Sequence, residues 1–495
     1  MSFLDHRYSK KIIVRNSILF ISISFFVIGL LFSSTNVLVW SLCFMLAHNL
    51  WYACEKFSER IIFFAFNCTF FTFLVGRLVI KTFTGYVDPW NKSRYGLDFQ
   101  GDNIILSIFI ILFLGLLFLY FGYRVVKNEN FNFKKSKLYS IRRVESIAFV
   151  SKYLFYLTYI FNVLILRDKA NFTDNNGYYE LYASYTSSYP GWVEKLSQMC
   201  PTALFIYLGT LPSKRKSFFP LVLYVISGVL SLIVGQRNNF VLNLLIVLVY
   251  LCLRNITDKK QKWFGKKEII SCIVSFPVIV VILNAVSHIR FESSSAPKSF
   301  LDGISEFFYN QGVSVNLIGY AQTLDQQFPV GKNYTFGRII DFLNNNSITQ
   351  SIFHVPKYNP QTLESALYGN NFADSVSYIL SPSRYLKGWG YGSSYLAELF
   401  HDGGYAGVII GSFILGIILA LMIRAFKHSI LGIWMCLSMT RLLLYAPRDT
   451  STSFFVSTFT LINILTLFII FLIASLLCKY KSERSPLYTL GEIRQ

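Results

Sequence analysis

Cysteine is scarce and badly placed for structural work. The eight cysteines, at 43, 54, 68, 200, 252, 272, 436 and 478, all fall within or beside long apolar runs. That excludes a disulfide-stapled outside domain and leaves no paired spacing for a zinc site. The six histidines are scattered, with no H-E-x-x-H, and there is no Walker-type glycine loop and no D-x-D pair. ATP hydrolysis and metal-assisted sugar-nucleotide chemistry therefore lack their residues. Acid is short as well, with 26 Asp and Glu against 46 Lys and Arg, and neither end carries a visible soluble catalytic domain.

What is abundant is apolar length. Hydrophobic residues make up 53% of the 495, in recurring stretches of about 20 residues, each enough to cross a ~30 Å hydrocarbon core as a helix. The stretches show no period-two alternation, which argues against an outer-membrane barrel. The expected fold is an all-α polytopic membrane protein. About twelve spans lie near residues 14–33, 36–53, 61–82, 103–124, 147–166, 194–211, 218–235, 239–253, 269–288, 404–424, 428–446 and 452–477. The first follows Arg7, Lys10, Lys11 and Arg15 without a cleavage signature, so it reads as an anchor and not as a removed signal.

Lysine and arginine set the orientation. With both termini cytoplasmic, "KNENFNFKKSKLYSIRR", "SKRKS", "RNITDKKQKWFGKK" and the tail Lys479, Lys481 and Arg484 all fall inside, as the positive-inside rule requires. The net charge of +20 is then explained by topology and by anionic lipid at the inner surface. It calls for no nucleic acid. The chain divides into residues 1–288 with nine spans and short loops, a large outside loop over 289–403, three spans over 404–478 and a cytoplasmic tail over 479–495.

A structureless loop beyond about 15 residues is uncommon in a compact protein, so the 289–403 segment should carry elements of its own. Within "FLDGISEFFYNQGVSVNLIGYAQTL", Leu301, Ile304 and Phe308, then Val315 and Ile318, recur at near-helical intervals, as in amphipathic helices lying over a bundle. Cations gather on the same side. Arg237 sits in "SLIVGQRNNFVLNLLIV" between two spans, His288 and Arg290 end the ninth in "NAVSHIRFESS", and Arg448 lies in "LYAPRDTSTSFF". Snorkelling explains any one of them alone. Together they point to an anionic ligand, because planar guanidinium forks match phosphate oxygens.

The stretch "GWGYGSSYLAELFHDGGYAGVIIGSFILGIILALMIR", residues 388–424, resembles the segment leading into a late membrane helix of the Wzy family of oligosaccharide repeat-unit polymerases. The resemblance extends to "IVGQRNNF", "FFYNQGVSVNLIGYAQTL" and "ESALYGNNFADSVSYILSPSRYLKGWGYGSS", and covers roughly residues 218–460. Its specific signals are the G-S-S-Y-x-A-E segment and the G-Q-R corner.

The resemblance implies a bacterial cytoplasmic membrane enzyme that joins undecaprenyl-diphosphate-linked oligosaccharides outside that membrane, with no cofactor, no nucleotide and no metal. Anionic lipids, a flippase and chain-length regulator proteins are the implied partners. Arg237 and Arg448, with Arg290 in support, would neutralise the leaving diphosphate. Glu398 and His401, three apart and thus on one helical face, or His288, would accept the acceptor's proton. The plain alternatives are that Glu398 pairs with an arginine and that Asp402 caps a helix. Tyr179 and Tyr182, with their neighbours Tyr178, Tyr185 and Trp192, and Trp389 with Tyr391 would stack on sugar rings, unless they only belong to interfacial belts. A lipid-linked oligosaccharide flippase is the rival class, although the halves lack repeat symmetry. An O-antigen ligase, sharing the donor, is the third.

Overall fold

A backbone in lipid has to satisfy its own polar groups, and a helix does so internally. The computed structural model describes residues 2–86, 96–126, 139–258, 260–291, 299–344, 346–354, 356, 358–479 and 487–488. The helices are α1 (Ser2–Leu31), α2 (Thr35–Glu55), α3 (Ile61–Phe70), α4 (Gly76–Thr84), α5 (Asp102–Val125), α6 (Ile141–Asn176), α7 (Glu180–Ala183), α8 (Gly191–Gly209), α9 (Lys214–Ile233), α10 (Arg237–Thr257) and α11 (Lys266–Phe291). After them come α12 (Phe300–Gln311), α13 (Asn316–Thr323), α14 (Gly337–Asn344), α15 (Ser347–Phe353), α16 (Leu363–Tyr368), α17 (Phe372–Leu380), α18 (Pro382–Tyr385), α19 (Tyr395–His428), α20 (Ile430–Leu443), α21 (Ser453–Thr458) and α22 (Leu461–Lys479). A π-helical turn, Phe71–Val75, joins α3 to α4 in one span. Strands β1 (Tyr139–Ser140) and β2 (Leu487–Tyr488) pair antiparallel over two residues.

Among the described residues, 11 helices are long and apolar enough to cross a membrane. The sixth of the expected spans is present as α8 but falls outside that set, because Glu194, Lys195 and Gln198 occupy its first turns. It still packs against α6, α20 and α22.

The large loop is built of short helices. In α12 the buried side chains are Phe307, Tyr309 and Gln311, while Leu301, expected on the apolar face, is exposed. Phe307 joins Val280 and Leu283 of α11 and Phe240 of α10 in a small core of its own. Val315 and Ile318 are buried, as the spacing predicts.

α19 is not one straight rod. Gly404 has φ 56 and ψ −149, a conformation that breaks the helix and that residues with a side chain rarely adopt. In a straight helix Leu399 and Gly411 would lie about 18 Å apart. Instead a Cβ on Gly411 would fall 2.3 Å from the Leu399 side chain. The piece from Tyr395 to Gly403 therefore turns back alongside the piece that follows, and Leu396 packs over Gly115, midway along α5. Glu398 and His401, expected on the approach to a span, ride on this re-entrant turn.

Candidate anion-binding and catalytic site

The corner between α9 and α10 is a helix stop followed at once by a helix start. The Gly235 N–H donates to the Leu232 carbonyl at 2.9 Å and the Gln236 N–H to the Ser231 carbonyl at 2.8 Å, with Gly235 at φ 86. This pair of bonds is the Schellman stop, which favours glycine at that position. Tyr178 lies against the corner so closely that a Cβ on Gly235 would meet its ring at 2.6 Å. Arg237 then opens α10, and the Gln236 side chain makes no capping hydrogen bond. A cation at the positive end of a helix dipole is unfavourable company unless an anion joins it.

Two neighbours fix the corner sideways. Arg237 donates to the Leu283 carbonyl of α11 at 3.2 Å. Asn238 donates to the Tyr445 hydroxyl. Tyr445 leads into the short turn Ala446–Arg448. There Arg448 donates to the Gln311 carbonyl at 3.2 Å and to its Oε1 at 3.1 Å, and stands 5.8 Å from the Phe73 ring centre. Arg237, Arg448, Asp449 and Tyr178 all lie within electrostatic reach of the Tyr445 hydroxyl. The structure thus brings two of the three sequence-nominated arginines to one place. The side chains of His288 and Arg290, at the end of α11, lie outside the described residues.

Beneath this cluster is a cation that sequence reasoning passed over. Arg441 of α20 donates through Nη2 to Asn239 Oδ1 at 2.8 Å and through Nε to Asn243 Oδ1 at 3.4 Å, both on α10. Asn239 in turn donates to Gln236 Oε1 at 3.0 Å. An arginine inside an apolar run was the available signal. Arg77, also buried within a span, lies 3.9 Å from the Tyr309 ring centre and donates to the Tyr309 carbonyl at 3.3 Å, which ties α4 to α12.

Glu398 has 0% exposure. One carboxylate oxygen accepts from Ser393 at 2.6 Å, and the other from the Ser451 amide at 2.8 Å and its hydroxyl at 2.6 Å. Its three hydrogen bonds hold the start of α19 to the segment after Arg448. His401 sits among Phe328, Tyr334 and Phe372, with ring centres 4.7, 5.0 and 6.2 Å away. Its Nδ1 is 3.0 Å from Asp402 Oδ1, and its Nε2 is 3.6 Å from Asp325 Oδ1. Asp402 accepts from the Thr335 amide at 2.6 Å, so it fastens a loop segment of the 289–403 region.

The nominated aromatics fall into two sets. Tyr179 stacks on Trp389 with ring centres 3.7 Å apart and 11° between planes, and Tyr178 and Tyr182 share a hydroxyl contact of 2.7 Å. These lie next to the arginine corner, because Tyr178 packs on Gly235. Tyr391 stands further along the loop, 6.1 Å from Tyr320, and its amide donates to Ser377.

A family model described as O-antigen polysaccharide polymerase Wzy matches residues 14–481. No curated protein and no solved structure matches the chain.

Proposed function

The chain belongs to the O-antigen polysaccharide polymerase Wzy family, and from that premise we propose that it joins undecaprenyl-diphosphate-linked repeat units at the outer face of the cytoplasmic membrane. It is a multi-pass membrane protein of a family of repeat-unit polymerases that act on lipid-linked oligosaccharides.

The observation that carries the finer reading is that the helix start bearing Arg237 is bonded through Asn238 to Tyr445, the residue leading into the turn that ends at Arg448. Glycosyl transfer from a lipid diphosphate breaks the bond between the sugar's anomeric carbon and a phosphate oxygen. Negative charge grows on that oxygen, and fixed guanidinium groups aimed at it lower the barrier without rearranging. The N-terminus of α10 adds amides and the positive end of its dipole. Asn238 and Gln311 hold the two sides of the cluster in place. Tyr179, Tyr182 and Trp389 flank it and offer hydroxyls and ring faces to sugar. The donor already carries an activated leaving group, so the reaction calls for no nucleotide and no metal at the site.

The test is a deletion strain. Loss of a polymerase leaves single repeat units displayed on the surface, whereas loss of a flippase traps lipid-linked units inside. Trapped units would overturn the reading.

A further inference from the structure

We propose that Asp449 takes the proton from the attacking sugar hydroxyl, an inference that rests on the polymerase reading above. Three placements lead to it. Asp449 follows Arg448 directly, in the turn that leaves α20, and it lies within electrostatic reach of Tyr445, as Arg237, Arg448 and Tyr178 do. It is half-buried, while Glu398 is wholly enclosed and committed to Ser393 and Ser451. His401 is boxed by three aromatic rings and held by Asp402. Of the three, Asp449 is the group that lies beside Arg448 and still meets solvent.

Its surroundings suit the task. Asp449 Oδ1 accepts from the Thr450 amide at 2.8 Å. Burial pushes its carboxyl up from the ordinary value, opposed by the Ser453 hydroxyl of α21, the Thr450 amide and the Arg338 guanidinium of α14. Glu398 of α19 is the further acid within reach, and Tyr445 and Arg448 come from its own turn. A base works best when its proton affinity is not far from the working pH. In the step itself the acceptor oxygen bonds to the donor's anomeric carbon as its proton passes to the Asp449 carboxylate. The bond from that carbon to the phosphate oxygen breaks, its electron pair leaving with the lipid diphosphate.

The experiment uses the full chain in liposomes with a lipid-diphosphate-linked oligosaccharide, reading chain extension, donor binding and the pH profile. Asp449→Asn should slow extension by about 10²- to 10⁴-fold with donor binding kept. The wild-type rate should climb with pH as Asp449 ionises, and the Asn variant should lose that limb. Asp449→Glu should recover part of the rate with the limb displaced. An Asn variant that extends chains at the wild-type rate, or retains the limb, overturns the inference. So does loss of donor binding in both variants, which would make Asp449 structural. A wild-type protein that extends nothing would instead sink the polymerase reading.

Discussion

Ser451 donates both its amide and its hydroxyl to a single oxygen of Glu398, at 2.8 and 2.6 Å. The two residues lie 53 positions apart, and the same hydroxyl stands 2.8 Å from the Thr335 carbonyl. Three separated segments are thus knotted at one carboxylate. Glu398→Ala would strand the Ser451 amide and the Ser393 hydroxyl, at about 1–3 kcal/mol for each unmet group. Glu398→Gln keeps an acceptor and should lose less. Thermal unfolding in detergent measures both, and an Ala variant as stable as wild type would dissolve the knot.

Arg237 and Arg448 face a sharper trial. Lysine keeps the charge and snorkels well, but it lacks the planar fork. Arg237→Lys and Arg448→Lys should each weaken lipid-diphosphate binding by about tenfold or more, equivalent to about 1.4 kcal/mol, with expression unchanged. Single-repeat glycan should accumulate in cells. Full-length polymer from the Lys variants would reduce the role to plain charge, and from Ala variants to anchoring.

Gly235 has two reasons to be glycine. Its φ of 86 costs a side-chain-bearing residue about 1–2 kcal/mol, and an added methyl would strike the Tyr178 ring. Gly235→Ala should therefore shift the corner and lower donor binding. Adding Tyr178→Ala removes the collision but not the backbone cost, so recovery should be partial. Complete recovery in the double variant would leave the ring as the sole constraint.

Orientation can be read with a membrane-impermeant thiol reagent on intact cells. Val330 is 99% exposed in the large loop, and Lys260 lies between α10 and α11. Val330→Cys should label above the wild-type background and Lys260→Cys should not. The reverse pattern would turn the arginine cluster toward the cytoplasm.

Much of this was legible in the chain. Apolar runs of membrane length mark helices whatever their neighbours, so the spans could be read one by one, and α8 differs only because polar residues thin its first turns. The G-Q-R corner declares itself, since a glycine and an arginine between two apolar runs leave few local conformations. Long-range pairings were not legible. Nothing local ties Tyr179 to Trp389 or Glu398 to Ser451. Arg441 and Arg77 were hidden inside runs that hydropathy averages to apolar, because their partners Asn239, Asn243 and Tyr309 sit on other helices. Asp449 was overlooked beside the more conspicuous arginine.

The reversal at Gly404 changes what counts as outside. Leu396 packs at the level of Gly115, well along α5, although eight residues later the chain reaches the bend and starts down again. The chain therefore runs along the same stretch of α5 in both directions before and after Gly404, where a hydropathy profile records a single span. Ser393, Ser394 and Glu398 bring polar groups to that depth under full protein cover, which is the condition on which irregular backbone is tolerated there. Residues 396 and 405, close in sequence, thus stand at different levels of α5, the first packed on Gly115 and the second hydrogen-bonded to Ser107.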